Sequence, residues 1–272
     1  MRGVIKNVAN KYGYEIRRLD REETKGSSHL GEDLKIKRYL KTFPSINQYF
    51  VDIGASNGLE MSNSYSFYKS GWSGLAVECD PAKFHILAQS LKDYDVSLAK
   101  TFVTPLNVLP LLKSFKVPKK FGVLSLDIDG YDYFVLSKTL EEFRPQLIIA
   151  EINEKIPPTL DFSVKYSEDY FWAGDHFYGQ SISMLHKLAK NNRYKLAEVY
   201  YNNAIYVTSE SQAKGLDPRE AYMKGYLKKA DRKEKFPWNN EFDPVYDLPP
   251  KEQHKFFKDL YSDKTNFILN KA

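Results

Sequence analysis

Residues 49–80 read YFVDIGASNGLEMSNSYSFYKSGWSGLAVECD, and this stretch constrains the fold most. A short apolar run over 49–53 stops at Gly54. Gly58 follows, and a helix over 59–70 is predicted after it. A second apolar run over 73–77 ends at Glu78, twenty residues past Gly58. Strand, glycine turn, helix and strand on this scale form a βαβ unit, one half of a nucleotide-binding crevice.

The residue types narrow what such a crevice takes. Gly54 and Gly58 lack a side chain, so backbone can turn tightly and approach a ligand. A carboxylate at the next strand tip, here Glu78, can accept hydrogen bonds from ribose hydroxyls. The turn is Asp52-Ile53-Gly54-Ala55-Ser56-Asn57-Gly58, with two glycines rather than the three of a dinucleotide fingerprint. A phosphate-cradling Gly-Lys-Ser/Thr is absent. Asp52 repels a pyrophosphate and suits a cationic or amino-acid-bearing ligand.

Further along, 121–128 (FGVLSLDI) is the most hydrophobic predicted strand and reads as buried and parallel. It runs into Asp127, Asp129 and Asp132. Carboxylates are costly to bury without a role, and the C-terminal strand ends of open α/β sheets are where ligands bind. Alternation puts Asp127 and Asp129 on one side of an extended segment, a geometry suited to a divalent cation held through oxygen. Asp132 reads as a helix cap. A strand over 146–152 should lie beside this one and bring Glu151 toward Asp127, with Asn153 just beyond.

D-I-G-A-S-N-G followed by V-E-C-D resembles the first two motifs of class I S-adenosylmethionine-dependent methyltransferases. LSLDIDGYDYFVL, IIAEIN, FYGQSISMLHKLA and NNAIYV resemble the FkbM-type members, many of which O-methylate sugars or other small polar acceptors. The resemblance spans 49–208. It implies an α/β fold with a Rossmann-like, seven-stranded, mostly parallel sheet, helices on both faces and an antiparallel terminal hairpin, here expected at 194–201 and 204–208. It implies S-adenosylmethionine as cofactor, bound by Asp52, Gly54, Ala55, Asn57, Gly58 and Glu78, with Asp52 and Gly54 on the methionine part and Glu78 on the ribose. Asn107, after a strand over 96–103, is the candidate for the adenine amino group, although helix capping explains it equally. Related sugar O-methyltransferases hold a metal with acids at the ends of strands four and five. Asp127 and Glu151 occupy those positions, so a divalent cation such as Mg2+ is an open expectation; the second position offers Glu151-Ile152-Asn153 rather than an acid pair.

Residues 154–180 read as a long loop rich in Tyr, Phe and Trp, and such loops are commonly functional lids. Within it, Asp175 and His176 are the acid/base candidates by chemistry; the base is Asp127 or His176. Glu151 helps orient the acceptor, and Asp129, Asn153 and Tyr178 are expected toward it. Two rival readings are a nucleoside-binding scaffold without catalysis, and a haloacid-dehalogenase-type phosphatase through Asp127-Ile-Asp129-Gly130. That phosphatase motif normally ends the first core strand and is followed by Thr, whereas here Tyr131 follows.

Composition bounds the rest. The 272 residues carry a formal net charge of +5. The basic excess lies on the flanks, with 11 Lys+Arg against 6 Asp+Glu over 1–48 and 13 against 11 over 209–272. This reads as a solvated surface, and no nucleic-acid partner is expected. No apolar run approaches the ~20 residues of a membrane span. The N-terminus lacks a secretory pattern, and the single Cys79 fits a reducing, cytoplasmic setting. We expect an N-terminal helical extension (1–48), a core (49–208) and a C-terminal helical and aromatic extension (209–272), with a small-molecule or glycan acceptor and a homo-oligomer as partners. In the first, Val4, Ile5, Val8 and Tyr12 share one helical face; a second helix from Glu32 ends before Pro44.

Overall fold

The computed structural model describes residues 27–28 and 30–272; the helix expected around Val4–Tyr12 and the loop residue His29 lie outside them. The elements run α1 (Glu32–Leu40), β1 (Tyr49–Ile53), α2 (Tyr65–Tyr68), β2 (Ser73–Glu78), α3 (Pro81–Leu91), β3 (Val96–Lys100), α4 (Val108–Ser114), β4 (Lys120–Leu126), α5 (Asp132–Thr139) and β5 (Arg144–Glu151). They continue with β6 (Leu160–Val164), α6 (Ile182–Asn191), β7 (Tyr194–Tyr200), β8 (Asn203–Thr208), α7 (Pro218–Tyr222), α8 (Arg232–Lys235), α9 (Asp243–Tyr246), α10 (Pro250–Leu260) and β9 (Phe267–Lys271).

Seven strands form one sheet in the order β3-β2-β1-β4-β5-β8-β7. The first five are parallel, and β8 runs antiparallel to both neighbours. The α/β class and the mostly parallel sheet with its antiparallel terminal hairpin are therefore as the sequence leads one to expect. Alternation along the central strands fills two cores at once. Val51, Ile53, Leu75, Val77, Leu124 and Leu126 face one cluster, while Phe50, Ala76, Val123 and Leu147 face the other. Strands buried on both faces must be apolar nearly throughout, which is why 121–126 reads as an unbroken hydrophobic run. After β1 the chain crosses toward β2, and after β4 toward β5. That divergence opens a crevice at the C-terminal ends of β1 and β4.

Local chemistry sets the helix starts. Asp80 accepts hydrogen bonds from the Ala82 and Lys83 amides ahead of Pro81, and Ser181 accepts one from Met184, so both helices begin where the capping residues stand.

The chain departs from expectation in three places here. The helix predicted over 59–70 shrinks to the four residues of α2. Asn57 Oδ1 takes the Leu59 and Glu60 amides, Ser62 Oγ takes those of Ser64 and Tyr65, and Met61 sits at φ 58°. Side chains that satisfy backbone amides locally compete with the helix ladder. The third strand stops at Lys100 rather than running on to 103. The 154–180 connection is not loop throughout, because β6 lies inside it and pairs antiparallel with β9 from the chain's end. This second sheet and α10 build a third apolar cluster around Phe162, Phe177, Phe257 and Tyr261. His186 of α6 is half-buried beside Tyr206, and burial lowers its pKa. No helix among the described residues is long and apolar enough to cross a membrane.

Candidate functional site

The crevice holds a cavity of about 400 Å³, within the range of small-molecule sites. Gly54, Glu78, Asp127 and Asp129 all stand in its wall.

Gly54 begins the turn at φ 91°, and its amide and that of Ala55 donate to the Val77 carbonyl at 3.0 and 2.9 Å. A Cβ on Gly54 would lie 1.7 Å from the Asp127 carbonyl oxygen, and one on Gly58 2.4 Å from Leu87 Cδ1. Close approach of β4 to the turn, and of α3 to the following loop, therefore accounts for both glycines without a ligand. Glu78 is 6% exposed. Its Oε1 accepts from the Cys79 and Asp80 amides and its Oε2 from Ser56, each at 2.8 Å. A carboxylate offers about four lone-pair positions, so Glu78 fixes the glycine turn and keeps one acceptor position, on Oε2, for a ligand.

Asp52 lies beneath the wall, 4% exposed, where the hydroxyls of Ser64 and Ser125 bond it. Burial raises its pKa from 3.8 to about 6. The native state thus binds this proton more tightly than the unfolded chain. The stability it contributes is complete below the unfolded pKa and is lost as pH rises through about 6, a change on the order of 3 kcal/mol. Asp52→Asn is expected to flatten the dependence of the thermal midpoint on pH between about pH 4 and about pH 6, read by scanning calorimetry. An unchanged slope would contradict the assignment.

The carboxylates at the ends of β4 and β5 form the densest charge in the site. Oxygens of Asp127, Asp129 and Glu151 all lie within 4.8 Å of one another. Burial pushes the Asp127 carboxyl well above its ordinary value, and the charges of Asp129 and Asp132 push it further. Burial and then Asp127 do the same to Glu151, and burial with Asp132 raises Asp129 to about 6. Three carboxylates this close in a desolvated site cannot all carry charge alone; they share protons or hold a cation. Asp129 adopts φ 53°, the left-handed region that a non-glycine residue enters at a cost of about 1–3 kcal/mol. Asp132 pins this bend, its two oxygens each accepting at 2.9 Å from the Ile128 and Gly130 amides. It holds the loop ahead of α5, and the N-cap position belongs to Tyr131.

Other expected site residues lie around this cavity rather than in its wall. Ala55 is buried in the turn, Asn57 bonds the Leu59 and Glu60 amides, and Gly58 packs against α3. Asn107 closes its own turn, Oδ1 accepting from the Thr104 amide and Nδ2 donating to the Phe102 carbonyl. Glu151 stands behind Asp127, its Oε1 accepting from Asn202 at 2.8 Å. Asn153 is fully buried and donates to the carbonyls of His176 and Tyr178. Tyr178 donates to Glu154 and accepts from Lys155 inside a buried polar cluster. His176 points its Nε2 to Glu241 at 2.8 Å and meets Phe242 edge-on, while Asp175 pairs with Lys264 at 2.6 Å. The structure thus brings Gly54, Glu78, Asp127 and Asp129 together and ties Asp175 and His176 to the C-terminal extension.

Several wall residues escaped sequence reasoning. Glu32 of α1, Asn63 and Lys83 line the cavity and sit in no motif, while Asn202 and Asn203 line it from the start of the NNAIYV motif, to which no site role was given. Phe171 and Trp172 do fall in the aromatic segment that reads as a lid. Phe102 and Phe171 meet edge to face at the mouth, centroids 5.6 Å apart, yet stay 54% and 66% exposed.

No family model matches the chain, and no curated protein matches it. Solved structures do. The N-terminal domain of EvdMO1 in the presence of SAH and D-fucose is 13% identical, covering 78% of this chain and 97% of that one, with a TM-score of 0.44. Magnesium protoporphyrin IX methyltransferase from Synechocystis PCC 6803 with bound SAM is 10% identical over 76% and 96%, with a TM-score of 0.40. DesVI of Streptomyces venezuelae is 11% identical over 72% and 100%, with a TM-score of 0.43. At these scores the likenesses carry no argument about function.

Proposed function

We propose that the chain is an S-adenosylmethionine-dependent O-methyltransferase of the FkbM type, acting on a hydroxyl of a small polar acceptor such as a sugar. One observation carries this reading: a single cavity at the sheet's switch point joins the Gly54 turn and Glu78 on one side to Asp127 and Asp129 on the other. The Oε2 of Glu78 accepts from the ribose, and the anionic wall suits a sulfonium.

The reaction asks little covalent chemistry of the protein. The acceptor oxygen attacks the methyl carbon, the S–CH3 bond breaks with its electron pair returning to sulfur, and the hydroxyl proton goes to a base. The protein must align the oxygen and remove that proton. Asp127 is the base in this reading, because it stands in the cavity wall and burial, with the charges of Asp129 and Asp132, raises its pKa and so strengthens its carboxylate as a base. His176 faces Glu241 instead. The oxygen donors of Asp127, Asp129 and Glu151 also fit a hard divalent cation such as Mg2+. When bound, it would lower the pKa of an acceptor hydroxyl.

The test is incubation with methyl-labelled S-adenosylmethionine and a set of hexoses. Label appearing in the sugar as an ether, with one S-adenosylhomocysteine released per methyl, is the expected result. Label that never leaves a tightly bound cofactor would contradict it and favour a scaffold.

A further inference from the structure

The cavity is uneven in charge, and the imbalance bears on what the acceptor can be; this rests on the methyl-transfer reading of the same site. Its one lysine among the described residues, Lys83, is exposed on α3 beside Asp80. Against it the wall sets five acids, Glu32, Glu78, Asp80, Asp127 and Asp129. Lys155 stays outside the wall, 2% exposed, with its ammonium on Tyr178 and Glu154. Glu32 reaches the wall from α1. It is 3% exposed, the Leu30 amide bonds its Oε2, and no described residue donates to Oε1. Asn63 directs an amide N–H to Ser125, and Asn202 directs one to Glu151. Their N–H groups are thus partly engaged on the protein, while acceptor oxygens dominate the wall.

We propose that this acid-rich cavity takes as acceptor a donor-rich, non-anionic polyol, a neutral or amine-bearing sugar, and rejects phosphorylated and carboxylated ones. An anion brought to about 6 Å from two wall carboxylates at an intermediate effective dielectric is disfavoured about a hundredfold. Hydroxyl and ammonium groups instead meet carboxylate and amide oxygens that have lone pairs to fill. Glu32 is the specificity-determining residue, since it brings a buried carboxylate to the wall from α1, outside the sheet.

The experiment uses the full chain saturated with S-adenosylhomocysteine. Glucose, galactose and mannose are each offered as the free sugar, 2-amino sugar, 6-phosphate and uronate, and binding is read by saturation-transfer NMR and calorimetry. Neutral or amino members are expected to bind at least about tenfold tighter than their anionic counterparts, and Glu32→Lys is expected to shrink or reverse that ratio. An anionic member that binds as tightly would overturn the inference, as would failure of every neutral and amino member at millimolar concentration. Failure to bind S-adenosylhomocysteine at all would instead sink the methyl-transfer reading, which separates the two.

Discussion

Asp127→Asn is expected to lower methyl-transfer turnover about a thousandfold, in the range lost when a general base is removed, while S-adenosylhomocysteine affinity changes less than about threefold. An amide at this position has no carboxylate to take the proton but fills the same volume. The parent's pH profile follows from the direction of its pKa. Burial and the charges of Asp129 and Asp132 hold Asp127 protonated well above the usual carboxylate range. Only the ionised form is a base, so turnover rises with pH through the raised pKa and levels off above it. The residual rate of Asp127→Asn should lack that rise. A variant that keeps the parent's turnover and profile would move the base elsewhere. Because oxygens of Asp127, Asp129 and Glu151 lie within 4.8 Å of one another, the measured pKa belongs to the cluster.

Gly54→Ala is expected to cost about 4 kcal/mol and to lower the thermal midpoint by about 10 °C. Two effects add: the left-handed φ of 91°, and a Cβ 1.7 Å from the Asp127 carbonyl oxygen. Gly71 provides the control, because it shares the φ of 91° but a Cβ there meets nothing within 4 Å. Gly71→Ala should therefore cost only the backbone term, about 1–2 kcal/mol. The difference between the two variants measures how tightly the turn is held against β4. Equal effects would show that β4 yields and that the turn is not rigid.

Much of the sheet was legible because parallel strands buried on both faces leave an apolar signature. The runs 49–53 and 73–77 are strands β1 and β2 to within a residue, and the run 121–128 is β4 except that the strand stops at Leu126. Glu78, Asp127 and Asp129 were legible for a related reason: acids that interrupt such runs stand at strand tips, where the crevice opens. What failed was chemistry decided by partners distant in sequence or by local competition. The pairing of Leu160–Val164 with Phe267–Lys271 joins segments about a hundred residues apart; the first alternates apolar and polar residues, but the second does not, and nothing local joins the two. The truncated α2 was lost to hydroxyls and an amide side chain that bond the backbone before the helix can. His176 had the right chemistry for a base, but the C-terminal extension that supplies Glu241 decides where its ring points. Glu32 entered the wall through the placement of α1 over the strand ends, which no local pattern in 32–40 encodes.

The proposed function stands on the crevice at Gly54 receiving an adenosyl ligand gripped by Glu78. Calorimetric titration of the full chain with S-adenosylhomocysteine tests this most directly. A saturable heat with one site per chain and a dissociation constant near or below about 10 µM is the predicted result, weakened at least about tenfold by Glu78→Ala. No heat up to about 1 mM, or a Glu78→Ala variant that binds as the parent does, would contradict it.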